Sequence, residues 1–128
     1  MKEGDRIPEF RVTPDKYLPH RYAGASGDFN PIHIDQEFAT QVGLPRNILH
    51  GLYSMAQVAL ANTAAGGGDP RKLKRLSVQF RGMGFPEQEI TVTGTVKDER
   101  DGTVVVDTVA EQGGNQIIRN AEAELETS

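Results

Sequence analysis

The sequence predicts an α+β domain in which one long buried helix is wrapped by a curved antiparallel sheet. Three observations carry this. Residues 51–64 contain no proline and are apolar most of the way round, as a helix is when it is buried and not laid on a surface. From residue 76 the period changes to two, with Leu76, Val78 and Phe80 alternating with Ser77, Gln79 and Arg81. The runs that follow are separated by Arg100-Asp101-Gly102 and Gly113-Gly114-Asn115, turns short enough that successive strands must be antiparallel.

In chain order, residues near 5–12 fit a first strand. Thr13-Pro14 reads as an N-cap with proline at the first helical position, opening a segment toward Tyr22 that Pro19 should kink or split. Asp35 should cap a short helix through Val42, with Gly43 ending it in a left-handed conformation. The long helix opens at His50-Gly51, carries Leu52, Met55, Ala56, Ala59 and Leu60 on one face with Tyr53, Val58 and Ala61 on others, so that burial all round is expected, and ends at Gly66-Gly67-Gly68. Four strands then follow, the second alternating Ile90, Val92, Gly94 and Val96 with threonines and the third running from Thr103 to Glu111. The fourth covers Gln116 to Glu126. A sheet that covers a single helix must curve around it, which is the hot-dog architecture. Its exposed edges make a dimer the expected minimum.

At 128 residues the chain reads as a single domain over 1–128, with a composition ordinary for a soluble globular protein. Lys+Arg 14 against Asp+Glu 18 gives −4, so no global field attracts nucleic acid. No apolar run approaches the roughly 20 residues that span a bilayer. The first ten residues, MKEGDRIPEF, lack the apolar core of a secretory signal. The absence of cysteine excludes disulfides, thiolate metal sites and a cysteine nucleophile. The expected location is cytoplasmic, with no cofactor and no metal.

One stretch stands out for its chemistry. SGDFNPIHID, residues 26–35, sets Asp28 and His33 on one proline-containing bend. Such a bend can be shape alone, since Asp, Asn and Pro all favour turns, or it can hold a proton-handling pair. Pro31 is expected to keep the bend from becoming helical, so that the two side chains converge. Ser26 invites a Ser/His/Asp triad, but nothing nearby resembles a nucleophile elbow. His33 and Asp28 could touch a metal, yet no third ligand stands at convincing spacing.

Tyr22 to Asp35, YAGASGDFNPIHID, followed by HGLYSMAQVAL from His50, resembles the MaoC-like dehydratase family. That family comprises the (R)-specific enoyl-thioester hydratases and the (3R)-hydroxyacyl dehydratases, including catalytic subunits of heteromeric dehydratases. Gly27, Asp28, Asn30, Pro31 and His33 fill every fixed position of its G-D-x-N-P-x-H motif. Downstream the likeness is looser, because Phe85-Pro86-Glu87-Gln88 stands where relatives carry a Pro-x-x-x-Gly-Asp turn. The resemblance implies a lyase that interconverts trans-2-enoyl and (3R)-3-hydroxyacyl thioesters by syn addition or elimination of water. The carrier is coenzyme A or an acyl carrier protein. The partner is a second copy, or a related hot-dog subunit in a heterodimer.

The chemistry of the residues agrees. Hydration needs a water deprotonated as it attacks C3, a proton delivered to C2, and negative charge held on the thioester oxygen. Asp28 and His33 are the candidate catalytic pair, their division of protons left open, and Asn30 a candidate to orient them or the substrate. Gly51 is the candidate oxyanion donor. A helix's first turn offers free N–H groups, and a missing Cβ lets a carbonyl approach; the family also uses a main-chain donor there. His50 is expected to pack or hydrogen-bond at the helix start. The basic cluster Arg71, Lys72, Lys74 and Arg75 is either a protected strand edge or a landing patch for carrier phosphates. Two other readings stay open, a hot-dog acyl-CoA thioesterase and a non-catalytic structural subunit.

Overall fold

The computed structural model describes residues 1–127. Strand β1 (Phe10–Val12) is followed by helices α1 (Leu18–Ser26), α2 (Pro31–Ile34), α3 (Gln36–Gln41) and α4 (Gly51–Ala65). Strands β2 (Leu73–Phe80), β3 (Ile90–Arg100), β4 (Thr103–Gln112) and β5 (Asn115–Glu126) complete the chain. All pairings are antiparallel, and the sheet order is β1-β3-β4-β5-β2. Helix α4 touches β2, β3, β4 and β5, so the sheet does wrap the helix as expected.

The first helix differs from its sequence expectation. Thr13-Pro14 opens nothing; α1 begins at Leu18, with Pro19 inside its first turn. Proline is well placed there because its missing N–H would have had no helical acceptor. Asp15 sets the entry instead, its Oδ1 accepting from the Tyr17 N–H at 3.0 Å. The expectation for α3 holds: Asp35 caps it through the Phe38 N–H at 3.0 Å, and Gly43 follows with φ +95°. The first strand is shorter than expected, with only an isolated bridge between Arg6 and Thr95 preceding it.

The core lies between α4 and the inner face of the sheet. Ile90, Val92, Val96, Val104, Val106, Ala110, Ile118, Ala121, Ala123 and Leu125 are buried there, each of the larger side chains contributing about 1.5–3 kcal/mol. The long helix is buried on one side only, not all round as expected. Its buried residues are Tyr53, Ser54, Gln57, Val58, Ala61 and Asn62, while Leu52 is 63% and Leu60 51% exposed. Its two buried amides donate hydrogen bonds. Gln57 donates to the Tyr53 carbonyl at 3.1 Å, and Asn62 to the Val58 carbonyl at 3.0 Å and the Thr108 hydroxyl at 3.2 Å. An apolar count cannot see such bonds.

Another buried amide, Gln112, shapes the segment after β2. Gln112 accepts from the Phe85 N–H at 2.7 Å and donates to the carbonyls of Phe85 and Gln88 at 2.8 and 3.0 Å. Gln112→Leu keeps the bulk and strands three main-chain groups. We expect it to lower stability by about 2–3 kcal/mol, read as a drop in the urea midpoint at unchanged slope; a change below about 0.5 kcal/mol would refute the assignment.

Candidate active site

Asp28 and His33 come together because α1 and α2 end and begin at fixed points. Gly27 closes α1 at φ +79°, its N–H on the Ala23 carbonyl at 2.8 Å. Asn30 then caps α2 through its Oδ1, 3.2 Å from the Ile32 N–H, and Pro31 takes the first helical position. Pro31 therefore starts a helical turn and does not prevent one, contrary to the sequence expectation; at the first position its missing donor costs nothing. His33 lies inside that turn and is 8% exposed. Asp28 lies before it, with 54% of its side chain exposed.

Between His33 Nε2 and Asp28 Oδ2 the distance is 3.8 Å, too long for a direct hydrogen bond and suited to a shared water. The other ring nitrogen, Nδ1, lies 2.8 Å from the Ile48 carbonyl oxygen. A carbonyl only accepts, so this partner assigns the proton to Nδ1 and leaves the Nε2 lone pair toward Asp28. Asp28 Oδ1 accepts from the Asn30 N–H at 3.2 Å, and the Ser26 hydroxyl accepts from the Asp28 N–H at 3.2 Å. Ser26 thus holds the loop and stands in no triad.

Residues 47–50 clamp this loop to α4. Asn47 donates to the His33 carbonyl at 2.9 Å, the Ile48 N–H to the Ile32 carbonyl at 3.0 Å, and the Leu49 N–H to the Gly84 carbonyl at 2.8 Å. The result is a cleft of about 190 Å³ whose walls include His33, Gly51, Ser54, Phe80, Met83 and Gly84. Within α4 the first intrahelical bonds are those of the Tyr53 and Ser54 N–H groups to the His50 carbonyl. The Gly51 and Leu52 N–H groups are left without helical acceptors. Gly51 stands close under a ring, since a Cβ there would lie 3.3 Å from Phe80. Two larger hollows, about 520 and 500 Å³, lie on sheet positions such as Thr91, Thr93 and Glu111, or Val105 and Glu122, away from the pair.

Of the sequence candidates, Asp28, His33 and Gly51 are brought together. Asn30 adjoins them, with its side-chain oxygen committed to the α2 cap. The basic cluster is not brought to the cleft. It follows the far end of the 15-residue α4, about 20 Å from Gly51 by helical rise. Arg71 pairs with Asp69, Lys74 with Glu126 and Arg75 with Glu124. The Arg71 guanidinium holds the Asp69 carboxyl below its ordinary range.

Sequence reasoning missed Ser54, which spacing could have found, since it lies one turn from Gly51 on the same helix face. It also missed the aromatic column beside the pair. His33 stacks on His50 at 3.9 Å, His50 meets Tyr22 at 4.7 Å, and Tyr22 meets Tyr53 edge-on at 5.9 Å. Burial pushes the Tyr53 phenol up, with the Asp15 carboxylate adding to the effect.

His50 supplies the third ligand that sequence spacing did not show: Asp28, His33 and His50 offer atoms within 4.8 Å of one another. Their arrangement does not suit one ion. The two imidazole planes are inclined by only 22° at stacking distance, and a metal must lie near both planes at about 2 Å from each nitrogen.

A family model described as "MaoC like domain" matches residues 3–118. Enoyl-CoA hydratase 2, peroxisomal, from Arabidopsis thaliana is 37% identical over 66% of this chain and 26% of its own length. Enoyl-CoA hydratase ChsH3 from Mycobacterium tuberculosis is 33% identical over 89% of this chain and 40% of its own. Fatty acid synthase subunit beta from Aspergillus oryzae is 33% identical over 82% of this chain, which spans only 5% of that protein. Among solved structures, a MaoC-like dehydratase superposes with a TM-score of 0.94 at 30% identity, covering 100% of this chain and 41% of that one. The (R)-hydratase from A. caviae gives 0.89 at 21% identity over 100% and 98%, and a structure of the ChsH1-ChsH2 complex from Mycobacterium tuberculosis gives 0.87 at 21% over 98% and 98%. Among the described residues no helix is long and apolar enough to cross a membrane. With the family model spanning most of the chain and His33 of the motif lining the cleft, the protein is a member of the MaoC-like dehydratase family, on a hot-dog fold.

Proposed function

We propose that the protein interconverts trans-2-enoyl and (3R)-3-hydroxyacyl thioesters by adding or removing water. The observation that carries this reading is the 3.8 Å gap between His33 Nε2 and Asp28 Oδ2, with His33 lining a cleft whose wall includes Gly51 at the start of α4. In hydration, a water between the two gives a proton to His33 Nε2 while its oxygen bonds to C3. The C2–C3 π electrons move toward the thioester oxygen, which the Gly51 N–H and the α4 dipole stabilise. Protonated His33 then returns the proton to C2 on the same face, a syn addition. Asp28 accepts a hydrogen bond from the O–H that stays on the water oxygen and so fixes its direction. Dehydration runs the same steps backward: His33 takes the C2 proton, and the leaving hydroxyl departs as water beside Asp28. Asn30 serves by shaping the loop.

The test is loss of the enoyl absorbance of crotonyl-CoA with the pure protein. Hydration gives loss with no free thiol. A thioesterase would release thiol in step with turnover, and a purely structural subunit would give neither.

For the partner, the proposal is a second hot-dog domain, here a second copy. The face of α4 bearing Leu52 and Leu60 is exposed, and Phe80 and Met83 beside the cleft are exposed as well. A second domain laid there would bury one apolar patch and roof the cleft. Light scattering at twice the chain mass supports a homodimer. A monomer that gains activity only with a second hot-dog chain supports the heterodimer, in line with the ChsH1-ChsH2 complex among the structural neighbours. Carrier contact at Arg71, Lys72, Lys74 and Arg75 and a cytoplasmic setting belong to the same proposal. If the cluster binds carrier phosphates, Lys74→Glu with Arg75→Glu raises KM without changing kcat.

A further inference from the structure

His50 is a buried, titratable side chain beside the pair, and the steps above leave it without a task. It is 2% exposed. His33 stacks on it at 3.9 Å, and Tyr22 packs against it at 4.7 Å with the rings tilted by 46°. Its Nε2 lies 3.0 Å from the main-chain oxygen of Asp28. Its Nδ1 is buried and has no hydrogen-bond partner.

These contacts fix the proton. A carbonyl oxygen can only accept, so Nε2 carries the hydrogen. A proton on Nδ1 as well would make a buried cation in a ring stack, with no acceptor for the new N–H. His50 is therefore neutral with its proton on Nε2, whereas His33, bonded through Nδ1 to the Ile48 carbonyl, carries its proton on Nδ1. Two stacked imidazoles thus hold opposite tautomers, each set by one main-chain carbonyl.

The Asp28 carbonyl needs such a donor. Asp28 sits on the loop between α1 and α2 with its side chain half exposed, and His50 is the one donor to its carbonyl among the described residues. His50 is also the N-cap of α4, directly before Gly51. One side chain therefore ties the loop of Asp28, the ring plane of His33 and the first N–H of α4 into a single geometry. We propose that His50 is a positioning residue: a neutral imidazole whose Nε2–H holds the Asp28 main chain and whose ring supports His33, so that carboxylate and base face the same water. This rests on the hydratase reading given above. The unpartnered Nδ1 is the cost of that arrangement, of the kind buried polar groups show where function constrains them.

Two substitutions separate the donor from the ring. His50→Gln sets an amide N–H near the place of Nε2, and His50→Phe keeps an aromatic ring and removes the donor. With crotonyl-CoA, His50→Phe should lower kcat by about 100-fold, the scale expected for misplacement of a reacting group by about 1 Å. KM should move less than about twofold, because the lost interaction aligns the transition state and does not bind substrate. His50→Gln should keep kcat within about fivefold of the wild type. Two-bond ¹H–¹⁵N spectra of the wild type should show the Nδ1–H form for His33 and the Nε2–H form for His50. The Asp28 carbonyl ¹³C resonance should shift in His50→Phe and stay in place in His50→Gln.

A proton on His50 Nδ1 overturns the proposal. So does full kcat in His50→Phe, or equal loss in both variants when both melt with the wild type. A wild type that leaves crotonyl-CoA unchanged counts against the hydratase reading alone. The tautomers and the Asp28 resonance then still decide whether His50 holds that loop.

Discussion

Asp28→Asn should reduce turnover of crotonyl-CoA by about 10²- to 10⁴-fold, the range that a positioned acid or base contributes, with little change in melting temperature. The asparagine is isosteric and keeps an oxygen for the Asn30 N–H, which Asp28 Oδ1 now serves at 3.2 Å. What it loses is the charge that directs the water. His33→Asn should cost as much. Its amide nitrogen can replace Nδ1 on the Ile48 carbonyl, now 2.8 Å away, while the lone pair at Nε2 disappears. His33→Ala would lose that structural bond too, a further ~1 kcal/mol of stability, so the asparagine is the cleaner probe of chemistry. The double variant should be no more than about tenfold worse than either single one, because the two groups serve one water and act as a unit. Rates that survive either substitution would remove the pair from the mechanism, and fully additive losses would mean that the two groups act independently.

Gly84→Val is expected to have the next largest effect, on substrate access as well as on packing. Gly84 accepts from the Leu49 N–H at 2.8 Å and forms part of the cleft wall. A Cβ there would lie 3.1 Å from Leu49 Cδ1 and 3.5 Å from Ser54 Oγ. Valine's further methyls must enter the cleft or push residue 49, the neighbour of His50. We expect overpacking to cost about 1–3 kcal/mol and kcat/KM to fall by about 100-fold, a loss of about 2.7 kcal/mol in transition-state binding. The loss should be steeper for hexenoyl-CoA than for crotonyl-CoA if the longer acyl chain runs along this wall. Gly84→Ala should show the same trend at about a tenth of the size in rate. Equal kcat/KM for wild type and Gly84→Val would mean that the acyl chain lies elsewhere.

The sequence by itself determined the types of the long elements, α4 and the four strands after it, and the family to which the motif belongs. Alternation in β3, β4 and β5 and the glycine turns between them specify an antiparallel succession, because side-chain period and loop length are local properties. The cap at Asp35 was legible for the same reason. So was the nearness of Asp28 and His33, which lie within one turn and the loop before it.

Tertiary structure decided which way each element faces. A helix apolar most of the way round reads as buried on every side, yet α4 leaves Leu52 and Leu60 exposed and buries Ser54, Gln57 and Asn62. The amides bond within the helix or to Thr108, and Thr108 lies 46 residues away. No local pattern can report a bond that closes over that distance. The same is true of His50, whose partners His33 and the Asp28 carbonyl are brought by the clamp at residues 47–50. It is true again of the basic cluster, which the length of α4 carries to the end away from the cleft. Spacing along a chain fixes what neighbours can do, whereas packing alone fixes what distant side chains meet.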